Sequence, residues 1–159
     1  MDFEPGWAIL AGLIGGAMMA TTLYLSIFVL PQHMKMNLFL MLGTMLLPVG
    51  AAAILMGAIA HAGMSVIFGL IHGAIFAGVD IESAETAWGL LFGLVHWAVV
   101  GMALGLLPLV HPRIRDGQVA APGFYALKFP PVTAIGFLML HLLFGVIVGV
   151  LYGGWSGFQ

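Results

Sequence analysis

The sequence predicts an all-α, four-span transmembrane helical bundle with one interfacial or re-entrant helix between spans one and two. Three observations carry this prediction. Hydrophobic residues make up 62% of the 159 residues and charged residues 6%, with a mean hydropathy of +1.16. A soluble domain of this length cannot bury so much apolar surface, so lipid is the expected solvent. Four uncharged stretches reach the roughly 20 residues that cross a ~30 Å hydrocarbon core. Four crossings also place every Lys and Arg, namely Lys35, Arg113, Arg115 and Lys128, on one side. Asp2, Glu4, Asp80, Glu82 and Glu85 then fall on the other.

Span one is expected from about Trp7 to Leu30, bounded by Pro5 and Pro31, with Gly12 and Gly16 offering a surface for close helix approach. The N-terminus lacks the basic region of a signal peptide, so this span should stay in the mature protein. Pro48 and Gly50 leave too few apolar residues before them for a crossing, so Met34–Leu47 reads as the interfacial or re-entrant helix. Span two is expected at Ala51–Gly78, followed by an acidic connection in which Ser83 would cap span three, Ala84–Leu109. Pro108 and His111-Pro112 are read as ending span three. A polar loop follows, and Pro130-Pro131 opens span four, Val132–Tyr152. Residues 1–159 thus form a single integral membrane domain. The positive-inside rule puts both termini outside the cytoplasm, in a bacterial inner membrane. Trp7, Trp88, Tyr152 and Trp155 would form an aromatic belt at the outer edge.

The pattern of a Gly-rich first span, a His-bearing second span, Trp88-Gly-x-x-Phe-Gly-x-x-His96-Trp97 and His141-Leu-Leu-Phe-Gly-x-x-x-Gly resembles a family of small, uncharacterised four-pass bacterial membrane proteins. The resemblance spans roughly Gly12 to Gly154. It implies the fold, and it brings no activity and no functional residue.

Chemistry must come from the histidines, since the apolar segments that carry them contain no Asp, Glu, Lys or Arg and the chain has no Cys. His61 lies ten residues beyond Ala51, His96 ten beyond Thr86 and His141 ten beyond Pro131. Ten residues is ~15 Å of helix, which puts all three at the membrane midplane. His72 returns to nearly the face of His61 one layer outward, while His33 and His111 fall at the cytoplasmic boundary. A polar ring in lipid needs a partner, so His61, His96 and His141 are the candidate ligand set. Zinc would keep its full charge there with no anion nearby. Copper(I), which Met18 or Met19 would help to hold, and haem b both suit the site better. Gly57, Gly93 and Gly145 lie one turn from the histidines and would make room for a flat macrocycle.

The sequence has no Ser-His-Asp or Cys-His set and no phosphate loop, which points away from an enzyme. A net charge of -2 points away from a nucleic-acid partner. The expected role is a small membrane binding or accessory subunit of a respiratory or other redox complex. Its partners would be lipid and other subunits, or further copies of itself through Gly-rich faces. Two alternatives stand beside this: a structural subunit whose histidines are interhelical hydrogen-bond glue, and a small channel or solute carrier. A weak echo, Phe68-Gly-Leu-Ile-His72 against Phe92-Gly-Leu-Val-His96, hints at an internal repeat.

Overall fold

The computed structural model describes residues 2–81 and 83–154. Among these the fold is all-α: α1 (Pro5–Val29), α2 (Leu38–Gly43), α3 (Ala51–Gly78), α4 (Glu85–Val110), α5 (Pro112–Arg115) and α6 (Pro131–Val148). The last helix continues through a π turn, Gly149–Gly153. α1, α3, α4 and the 131–153 helix are long and apolar enough to cross a membrane, and α2 is the short helix between the first two. Six residues span only ~9 Å, so α2 cannot cross. Glu82 and Trp155, assigned above to the acidic side and the aromatic belt, lie outside the described residues.

Local chemistry moves several boundaries. The expected helix at Met34–Leu47 shrinks to α2 because both its ends are capped. The Asn37 side chain accepts from Leu40 N–H at 3.0 Å, and the Thr44 hydroxyl donates back to the Leu40 carbonyl at 2.6 Å. Ser83 is not the cap of α4. That helix starts at Glu85, and Ala84, at φ 57°, accepts from Trp88 N–H. Nor does Pro108 end α4. It sits inside the last turn, which runs on to Val110 and closes with His111 N–H on the Leu107 carbonyl. Tyr152 is not a belt residue at the surface. It is 2% exposed, and its hydroxyl accepts from Glu4 N–H at 3.0 Å.

The chain packs as two compact units. The first contains the chain up to Thr22, Ala62–His96 and the chain from Met139 on. Here helices meet backbone to backbone. A Cβ on Gly12 would overlap the Ser65 carbonyl oxygen, and one on Gly145 would overlap that of Gly89. This is the close approach that small residues permit in lipid, where dispersion contacts rather than water expulsion hold helices together. Phe76, Phe144 and Val148 fill the remaining interior.

The second unit contains Leu23–His61 and Trp97–Leu138. Its core is Met36, Met41, Leu104, Ala126 and Phe137, with Trp97, Val100 and Phe129 packed against it. Gly101 and Gly105 of α4 face a loop here, and a Cβ on either would overlap the ring of Tyr125 or Phe124. The segment before α2 is tied down by polar bonds. Thr133 donates its hydroxyl to the His33 carbonyl at 2.6 Å and accepts from Lys35 N–H at 3.1 Å. Tyr24 donates to Asn37 at 2.9 Å and accepts from Phe39 N–H at 3.0 Å.

Candidate functional site: a buried histidine cluster

Three histidines converge within the first unit, and they are His72, His96 and His141. All are buried, at 3%, 9% and 3% exposure. His96 on α4 is the hub: its ring centroid lies 4.8 Å from that of His141 on α6 and 5.6 Å from that of His72 on α3. Phe68 stacks on His96 at 3.7 Å and 25°. Phe144 stands edge-on to both His72 and His96, at 5.5 and 5.4 Å. His61 belongs to the second unit, where its ring lies 5.7 Å from Phe39. Of the two methionines proposed as further ligands, Met19 is buried and Met18 is exposed.

Sequence counting left His72 outside the ligand set because it measured depth on this helix from Ala51, the end away from the α3–α4 connection. The register of α3 and α4 is set instead by their short connection. His96 lies eleven residues after Glu85, and Phe68 lies ten residues before Gly78. Antiparallel helices leaving one short turn therefore bring Phe68 to the level of His96, and His72, one turn on, to the level of Phe92 and within ring contact of His96. The signal was present in the sequence, in the length of the acidic connection.

The hydrogen bonding of the cluster is incomplete. His72 Nδ1 lies 2.7 Å from the Phe68 carbonyl oxygen, so it carries the proton and donates. That leaves Nε2 of His72 as a bare lone pair, and it is buried with no partner. His96 Nδ1 is likewise buried with no partner. Buried polar atoms almost always find one, so each exception calls for a cause. His111, in the second unit, provides the contrast. It is 0% exposed, yet its Nδ1 accepts from Ile114 N–H at 3.2 Å and its Nε2 donates to the Met41 carbonyl at 2.9 Å. His111 is what a structural histidine looks like in this protein.

The arrangement bears on what the cluster can hold. A porphyrin between two axial imidazoles would separate their rings, whereas His96 is packed directly against His141, His72 and Phe68. The space beside Gly93 and Gly145 is taken by each other's helix, and that beside Gly57 by the Phe39 backbone. Haem therefore does not fit these residues as they pack. Among the described residues no three His, Cys, Asp or Glu side chains are arranged to hold one metal ion. Two imidazole nitrogens suffice for an ion that accepts two ligands. His72 already has the outer-shell bond that ligating histidines make, an N–H donated to a backbone carbonyl that fixes the tautomer and turns the other nitrogen outward. No family model, no curated protein and no solved structure matches this chain.

Proposed function

We propose that the protein is a small integral membrane binding subunit whose His72–His96 pair, with His141 beside it, takes copper(I). The reading rests on one observation: two buried imidazole nitrogens on facing helices lack partners, in a chain whose structural histidine has both nitrogens bonded. Copper(I) carries one charge, accepts neutral nitrogen ligands and is stable with two, so it suits a site without carboxylates. On this reading the protein serves a redox complex as an accessory subunit.

Anaerobic titration of the purified protein with copper(I) against a competing chelator should give about one equivalent, by the one-site geometry. His72→Ala and His96→Ala should each abolish it, and His33→Ala at the exposed turn should not. A wild-type protein that binds no copper(I) and is isolated metal-free would reject the reading in favour of interhelical glue.

The charge distribution favours a bacterial inner membrane with both termini outside the cytoplasm and the 113–128 loop inside. A cysteine introduced at Gln118 should be shielded from a membrane-impermeant thiol reagent in intact cells and labelled after lysis. Labelling in intact cells would reverse this orientation.

A further inference from the structure

The Phe-Gly-Leu-x-His echo becomes a geometric pairing in the first unit. Phe68 of the first motif lies on His96 of the second, and His72 of the first meets Phe92 of the second. The flanking contacts repeat the relation. Gly12 of α1 approaches the Ser65 carbonyl and Gly69 of α3, while Gly145 of α6 approaches the Gly89 carbonyl and Gly93 of α4. A quasi-two-fold rotation thus exchanges α3 with α4 and α1 with α6. It reverses chain order, so it is an equivalence of packing and not a tandem copy. Phe144 sits near the axis, almost equidistant from the two histidines.

The two halves are caught in different states. His72 Nδ1 is bonded to the carbonyl of Phe68, four residues before it. The equivalent bond, from His96 Nδ1 to the Phe92 carbonyl, is not made. Phe68 lies flat on His96 at 25°, whereas Phe92 meets His72 edge-on at 72° and 6.1 Å. When two pseudo-equivalent halves differ, exchanging their conformations generates a second arrangement of similar packing, as inverted repeats do in transporters.

We infer that the cluster has a second state with these roles exchanged: His96 Nδ1 donates to the Phe92 carbonyl, Phe92 stacks on His72, and His72 releases the Phe68 carbonyl. The bonded Nδ1 then changes helix, while each ring keeps one proton and one bare nitrogen and only exchanges which of its own two nitrogens carries which. The cluster is a two-state tautomer switch. His141 contacts His96, and the position equivalent to it on α1 is Ala8, so the two states differ in energy and His141 sets their ratio. The exchange is a property of the metal-free rings and does not require the copper reading.

The test uses metal-free, ¹⁵N-histidine-labelled protein in nanodiscs, with ring-nitrogen shifts reporting tautomers and relaxation dispersion reporting exchange. His72 should appear mainly as the Nδ1–H tautomer, in exchange with a minor state. Phe68→Leu, which keeps the bulk and removes the stacked ring, should raise the minor state roughly two- to tenfold, the range of one aromatic pair. Phe92→Leu should lower it by a similar factor, and His141→Ala should change the ratio without removing either state. Circular dichroism confirms that each variant stays helical. One static set of shifts for His72 and His96, unmoved in all three folded variants, would overturn the switch. It would leave copper binding to be judged by its own titration.

Discussion

Gly57→Ala should destabilise the protein by about 3 kcal/mol, the upper end of what overpacking a well-filled site costs. A Cβ on Gly57 of α3 would fall on the Phe39 carbonyl of α2, and a Cβ on Gly43 of α2 would fall on the Ala53 carbonyl of α3. Both obstacles are helical backbone, which cannot rotate aside as a side chain can. The two helices would have to part, taking with them the bonds that α2 makes. Gly63→Ala is the matched control. It lies on the same helix with no atom within 4 Å of the new carbon, so it should be neutral or gain up to ~1 kcal/mol from helix propensity. Unfolding of purified protein by SDS titration in mixed micelles measures both. Equal midpoints for Gly57→Ala and wild type would show that α2 does not lie against α3 as described.

His111→Ala should cost about 3–4 kcal/mol in the same titration. The ring is fully buried, so its removal leaves a cavity as well as broken bonds. Losing the cap on Ile114 N–H costs about 1 kcal/mol, and losing the ring's bond to the buried Met41 carbonyl, which keeps the Thr44 hydroxyl at 3.2 Å, adds about 1 kcal/mol. His111→Asn, which keeps a capping acceptor, should recover about 1 kcal/mol of this. His33→Ala, at an exposed turn, should stay within about 0.5 kcal/mol of wild type. A small loss for His111→Ala would mean that the buried ring contributes packing alone.

The four long helices were legible because hydropathy and proline placement act locally. Span two was expected at Ala51–Gly78, the bounds α3 has. The short helix was legible in kind, from Pro48 and Gly50, but not in extent, since its caps depend on how Asn37 and Thr44 turn their side chains. The site was half legible. His96 and His141 were both singled out and do adjoin. His72 needed the interhelical register, which sequence carries only through the length of a connection. His111 was passed over because a histidine beside a helix end reads as a boundary residue. What gives it importance is the Met41 carbonyl, 70 positions away in the chain. Orphaned nitrogens are invisible in any sequence, because having no partner is a property of the folded neighbourhood.

The bonds around α2 also set an order of assembly. The segment from His33 to Thr44 lies early in the chain, yet it is held by His111 and by Thr133, which follow their partners by 70 to 100 residues. At a ribosomal rate of roughly 5–20 residues per second, Thr133 emerges some 5–20 s after the backbone it must clasp. During that interval α1 and α3 can already be inserted while α2 has its packing on α3 and the Tyr24 bonds, but not those of His111 and Thr133. Docking of this short helix is therefore a late step of biogenesis, completed only when the last span arrives.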